Sequence, residues 1–361
     1  MSIIDVTTGT PYATVSAAIL GSGNGDVISI SAGAYSEYFP TIRHDLTIQG
    51  VSGLAVLTTP GQPDNGKGIL VTNGNIVLRN LDISGASVPD GNGAGIRYET
   101  GTLLVVNSHI HDNQNGILAN ASPGSITITQ SEIDHNGAGD GYTHNLYINE
   151  IANLVIRDSY IHDASAGHEV KSRADHTTIT GTRIQDQQGD ASYAIDLPNG
   201  GAALITGNTI EKGPNVQNRT VIHLGGDGAY ANTSLTVTGN TLIDDLPQGA
   251  SSTLVFNQTT TTADFTANTL YGFANSTIPA GNTVLARAAA PLLDTSSPVR
   301  VPEPGSAAML LAALCLGLLA VSFAARAPAG RGCETASPCR GGPAAPANRH
   351  PWRRAQAHRY R

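Results

Sequence analysis

Apolar and polar positions alternate with a period of two along most of the chain, in short runs bounded by Gly, Asn, Asp and Ser. Such alternation marks half-buried strands rather than helices. One phrase keeps returning: an alternating strand, a small polar residue, any residue, Ile or Leu, then a turn. It occurs at 76–83, 103–110, 126–133, 154–161, 178–184, 204–210, 235–242 and 263–270. The closing aliphatic positions 83, 110, 133, 161, 184, 210, 242 and 270 are separated by 27, 23, 28, 23, 26, 32 and 28 residues. A period in the twenties admits leucine-rich repeats or a β-solenoid. No helical half-repeat is present. A second alternating strand lies between the anchors instead, at 116–119, 145–148, 169–172, 193–197 and 221–224. Two or three strands per repeat make one coil, and successive coils should stack roughly 4.8 Å apart.

The first residues break this rhythm. Positions 12–20 read as a short amphipathic helix, followed by strands near 25–30 and 33–37. A helix there would cover strand edges and core side chains that an open solenoid end exposes. The order of elements over roughly residues 10–285 resembles the pectate-lyase-like right-handed parallel β-helix proteins. That resemblance implies an all-β fold: a single-stranded right-handed parallel β-helix over residues 1–287 with an N-terminal cap helix. It leaves activity open, because the same solenoid carries lyases, hydrolases, esterases, epimerases and binding proteins.

The carboxyl-terminal part has a different character. Residues 288–304 read as a linker ending in Pro302-Glu303-Pro304. Ser306 to Ala325 is a run of 20 uncharged residues, followed at once by Arg326. As a helix the run would be about 30 Å long, enough to cross a hydrocarbon core. The order of motif, apolar span and Arg resembles the PEP-CTERM sorting signal of bacterial exopolysaccharide-associated proteins. The resemblance implies a transmembrane helix over 305–326, an exosortase-type sorting enzyme as partner, and a solenoid displayed at the cell surface. The positive-inside bias then places the Arg-rich tail, 327–361, in the cytoplasm. An ordinary single-span anchor would give the same topology. The tail is rich in Arg, Pro and Gly, has no periodicity, and reads as disordered. Met1–Asp5 lead straight into the repeat pattern without a basic stretch and apolar run, so export would call for a segment upstream of Met1.

Composition sharpens this picture. Aromatics are 5% and charged residues 13% of the chain. Cys315, Cys333 and Cys339 all lie beyond the repeats, so no disulfide framework is expected there. Eight Arg from Arg326 onward leave residues 1–325 with 12 basic and 27 acidic groups, a formal charge of −15. Nucleic acid is thereby excluded as a partner of the solenoid, and a polyanion would need a local basic island.

Aligning the inward residues Ile96, Ile117, Leu146, Val170, Ile195 and Ile222 predicts an outward column one position on: Arg97, Leu118, Tyr147, Lys171, Asp196, His223. Asn145 and Glu169 precede two of the inward residues, and Arg173 lies two beyond Lys171. Lysine occurs only at 67, 171 and 212 before the tail. Abstraction of the proton α to a uronate needs a base and a cation to stabilise the enolate. Lys171 as base and Arg173 as carboxylate partner would divide that work, with Tyr147 or His144 as proton donor. Asn145, Glu169, Asp196, His223 and Arg97 are the expected substrate contacts. Glu169-Val-Lys171-Ser172 resembles the Lys-Ser stretch of the chondroitinase B and alginate lyase family, which implies Lys171 as base. That family's arginine partner would fall near Asp196, which is acidic. Mannuronan epimerases on this fold use Tyr, His, Asp and Lys together.

The expected function is therefore action on an acidic polysaccharide, by β-elimination or epimerisation of uronic acid residues. The alternative is a non-catalytic glycan-binding or matrix protein whose polar ladder merely solvates the surface. No cofactor is expected, and a monomer is. Seven His lie between 109 and 176 without the helical spacing of a zinc protease, and they read as turn and surface residues, so no metal site is expected. Of these, His144 and His168 should stack on adjacent coils. Asp112, Asp134, Asp163, Asp186 and Asp244 follow the anchors and read as turn residues, with Ca²⁺ as the weaker alternative. The Gly225-Gly226-Asp227-Gly228 stretch reads as a plain loop.

Overall fold

The computed structural model describes residues 2–247, 250, 252–273 and 277–300. Their strands wind into a right-handed parallel solenoid of about nine coils. A typical coil contributes three strands, each pairing in register with its equivalents in neighbouring coils. In the first ladder Leu103, Ile126, Leu154, Thr177, Ala203 and Leu235 lie side by side. In the second, the eight closing aliphatics expected from the repeat form one stack from Ile83 to Leu270. In the third, Ile96, Ile117, Leu146, Val170, Ile195 and Ile222 are consecutive partners, as aligned from sequence. These second- and third-ladder stacks are buried. Each such side chain stabilises the coil by about 1.5–3 kcal/mol relative to exposure.

The corner between first and second ladders is turned by a single left-handed residue. Asn80, Asn107, Gln130 and Asp158 hold φ between 48° and 53°, and Gly181, Gly207 and Gly239 take the same place in later coils. From Asn107 onward the next residue is the small polar one of the repeat, and it points inward; after Asn80 that place is taken by Leu81. Thr182 N–H donates to Asn208 Oδ1 (2.9 Å), Asn208 N–H to Asn240 Oδ1 (2.9 Å), and Asn240 N–H to Asn268 Oδ1 (3.0 Å). Ser108, Ser131 and Ser159 serve the same purpose with their hydroxyls. The ladder satisfies backbone donors that so tight a corner would otherwise bury unpaired.

At the amino end, Ile3–Asp5 pairs antiparallel with both Thr10–Tyr12 and Asp26–Ser36. The predicted helix is present as Val15–Gly21. It starts later than the apolar pattern suggested because Tyr12 ends a strand and Thr14 is the N-cap, its Oγ1 accepting from Ala17 N–H. The Glu37 carboxylate accepts from Val15 and Ser16 N–H, closing the helix start. Val15, Ala18 and Ile19 are buried, joining the helix to the core.

After the last paired strand, Thr283–Leu285, the chain turns back. Residues 288–300, expected as a linker, lie as a strap along the second ladder. Arg183 donates to the carbonyls of Asp294 (2.6 Å) and Ser296 (2.5 Å). Asn107 exchanges two hydrogen bonds with the Arg300 backbone, at 2.6 and 2.7 Å. The Pro302-Glu303-Pro304 motif, the apolar span 305–326 and the tail 327–361 lie outside the described residues. Among the described residues, no helix is long and apolar enough to cross a membrane.

Candidate functional site

The third ladder carries the expected outward column. Arg97, Leu118, Tyr147, Lys171, Asp196 and His223 are consecutive partners, and Phe256 follows His223. Val170 and Ser172 are buried on either side of Lys171, so the lysine leaves the sheet outward. Arg173 emerges two residues on, beside the same face.

Asp196 is the hub. Its Oδ2 accepts from Lys171 Nζ at 2.8 Å and lies 3.3 Å from His168 Nε2, while its Oδ1 lies 2.7 Å from His223 Nδ1. It is only 2% exposed, so it anchors the column from beneath instead of meeting a ligand. Burial alone would raise its pKa, but the hydrogen bonds from His223 and Lys171 and the lysine's charge outweigh it and hold the carboxylate far below its ordinary range. His223 is correspondingly raised. Burial disfavours its charge, yet the contacts with Asp196 and with Gln258 Oε1 (2.8 Å) prevail.

A file of rings runs behind the column. His144 stacks on His168 at 4.6 Å as expected, His168 on Tyr193 at 4.9 Å, Tyr193 on His223 at 4.9 Å, and His223 on Phe256 at 5.4 Å. Gly167 makes the first contact possible, since a Cβ there would lie 1.9 Å from Thr143 O. His144 Nδ1 accepts from the His168 N–H, and burial pushes the pKa of His144 well below the ordinary value, as it does for His168, down to about 3. His144 is 2% exposed and meets Tyr147 edge-on at 5.4 Å. The placement of His144 suits holding the Tyr147 ring, not meeting a substrate.

Two expected substrate contacts point elsewhere. Asn145 is buried and donates to Glu169 Oε2 (2.5 Å) and His162 O (2.8 Å). Glu169 is buried too, and its pKa is raised well above normal, by burial first and by Asp186 next. Both occupy a corner where the strand has not yet begun its alternation, so the position before the inward residue turns in as well. Arg97 lies on the outward column but three coils from Lys171, engaged by Asn120 and by Glu99.

The open part of the site is Tyr147, Lys171 and Arg173. Lys171 Nζ lies 5.6 Å from the Tyr147 ring centroid, and Tyr147 is within hydrogen-bonding reach of Arg173. The Gly225-Gly226-Asp227-Gly228 loop, read from sequence as plain, supplies Asp227, which pairs with Arg173 Nη2 at 2.8 Å. Tyr230, from the same connection, donates to Arg173 O at 3.0 Å. Asn199 accepts from Arg173 on the next coil. His168, Tyr193, Gln258 and Asp227 were not singled out as site residues from sequence. The contacts that recruit Gln258 and Asp227 span 35 and 54 residues.

The family described as "Right handed beta helix region" matches residues 45–210, the stretch that contains Tyr147, Lys171, Arg173 and Asp196. The chain has the right-handed β-helix fold that this description names. No curated protein matches it. In this β-helix the outward column is a continuous physical feature, whose part from Arg97 to Asp196 lies within the residues that the family match covers.

Proposed function

We propose that this β-helix protein acts on an acidic polysaccharide along its third ladder, by proton transfer at the carbon next to a uronate carboxylate. The observation that carries the reading is the outward trio Tyr147, Lys171 and Arg173, with Lys171 anchored on buried Asp196 and Arg173 on Asp227. A β-helix of this kind fits proteins that act on polysaccharides in general, and the two cations give a polyanion a landing point on a chain that is otherwise acidic.

The geometry redistributes the expected roles. Lys171 Nζ is already committed as a donor to the buried Asp196 carboxylate. It suits stabilising the enolate rather than taking the proton. Arg173 suits the uronate carboxylate, by paired hydrogen bonds. Tyr147, between them, is left as the proton-transfer group. Elimination would break the bond to the 4-oxygen and leave a conjugated uronate. Epimerisation would return a proton to the opposite face. The order of motif, span and Arg in 302–326 supports display at the cell surface by an exosortase-type enzyme.

Incubation with a panel of polyuronates distinguishes these outcomes. Absorbance of the unsaturated product reports elimination, and deuterium incorporation from heavy water at the carbon next to the carboxylate reports epimerisation. Tyr147→Phe should lose either activity while retaining the polymer. The second reading, glycan binding without turnover, draws on the fact that Asp227 and Asp196 already neutralise both cations. A parent inert on every polymer yet retaining one would establish that reading instead.

A further inference from the structure

The second ladder carries histidines that this reading does not use. We infer that Asp82, His109 and His111 form a binding site for a zinc-like divalent metal ion, bridging two coils of the solenoid. His109 and His111 are two apart on one strand, so both leave the same face. Asp82 lies on the neighbouring strand, paired with His109. One donor atom from each of the three comes within 4.8 Å of the others. His109 Nδ1 lies 3.6 Å from Asp82 Oδ2, and His111 Nε2 lies 3.2 Å from Asp82 Oδ1. Ligand atoms around a tetrahedral zinc at about 2.0–2.1 Å sit roughly 3.4 Å apart, so little movement is needed.

The nitrogens that face away from this point are the stronger argument. His109 turns its Nε2 to Asp134 Oδ1 at 2.6 Å, and His111 turns its Nδ1 to Asp112 Oδ2 at 2.7 Å. Each imidazole thus presents one nitrogen to the shared centre and gives the other to a separate carboxylate. That is the outer contact that fixes the tautomer and orientation of a metal-bound histidine. Asp112 can reach His111 because it holds φ at 51°, folding its side chain back over the strand end. The three ligands are part-exposed, leaving room for water in the remaining position. A shallow depression of about 340 Å³, lined by Gly85, Asp112 and His135 among others, opens beside them. Imidazole with carboxylate favours zinc, copper or nickel over calcium.

The test uses the untagged full chain, loaded with Zn²⁺ at pH 8, desalted and assayed for metal by mass spectrometry. The parent should retain a whole number of equivalents, and His111→Ala and Asp82→Asn should each retain one fewer, with unchanged far-ultraviolet circular dichroism. Asp134→Asn should keep the equivalent but lose it to a chelator about 10–100-fold more readily, as expected for an outer contact. Co²⁺ loading should give visible bands in the parent that His111→Ala lacks. No retained metal in the parent would overturn the site. So would unchanged stoichiometry in both His111→Ala and Asp82→Asn, since that would place the metal elsewhere, as on Asp134, His135 and His162.

Discussion

Lys171 Nζ meets Asp196 Oδ2 at 2.8 Å across neighbouring coils, and the two residues are unequally buried. The aspartate is 2% exposed, while the lysine reaches the surface. Removing either therefore has different consequences. Asp196→Asn should destabilise the solenoid by about 3–5 kcal/mol, because it leaves the charges on His223 and Lys171 without a buried counter-ion. Lys171→Ala should cost clearly less, since His223 still faces Asp196, and it should abolish turnover of any polyuronate the parent converts. Urea unfolding followed by circular dichroism, alongside the activity assay, checks both. Equal destabilisation by the two substitutions would contradict the hub.

The pH dependence of the contact between His223 and Asp196 has a definite sign. The folded-state pKa of His223 lies above its ordinary 6.5. Its contribution is thus fully present below pH 6.5 and fades as pH rises through the folded value. Asp196 runs the other way: its contribution is present above its ordinary 3.8 and fades on acidification below that. The stability difference between the parent and His223→Gln should therefore shrink as pH rises from 6 toward 10. A difference that is flat over this range would show that the two residues are not coupled through charge.

Asp227 competes for Arg173. It is the more exposed of the pair, with 54% of its side chain accessible against 13% for the arginine. Asp227→Asn should free the guanidinium and tighten polyuronate binding several-fold, with little change in thermal stability. Affinity measured by calorimetry at low and moderate salt tests this. Weaker binding would mean that the loop, not the arginine, makes the contact.

The inward ladder makes a prediction of its own. Asn240 is buried and donates to Ile205 O at 2.9 Å while accepting from Asn208. Asn240→Ala should cost about 1–3 kcal/mol by stranding buried backbone groups. Asn240→Ser should recover part of that, because Ser131 and Ser159 hold the equivalent place in earlier coils. Thermal unfolding of the two variants side by side decides the point.

The strap 288–300 should resist proteolysis as long as its clamps hold. Asn107→Gly removes both hydrogen bonds to the Arg300 backbone while keeping a residue that tolerates the left-handed corner, and Arg183→Ala removes those to the Asp294 and Ser296 carbonyls. Each should speed tryptic cleavage after Arg300 several-fold without altering the solenoid. Cleavage rates equal to the parent's would mean that the strap is held elsewhere.

Much of this architecture was legible before any coordinates. Residues such as Ile110, Ile133 and Ile161 recur at nearly constant spacing, and a period-two strand has only two faces. Register therefore followed from alternation, and with it the neighbours of Lys171. What alternation could not reveal was the behaviour of corners, where the chain has not yet entered the strand. That is why Asn145 and Glu169, each just before a strand that starts at Leu146 or Val170, turn inward, although a simple count placed them beside the outward column. Nor could it show depth: Asp196 and Lys171 share a column, yet His168 and His223 meet the aspartate from either side and bury it, while the lysine paired with it still reaches the surface. The chain by itself determined a stacked solenoid, because repeat spacing and alternation are local properties. Only the tertiary structure decided which polar residues face water, because burial, the Asp227 loop and the returning strap all depend on contacts between segments far apart in sequence.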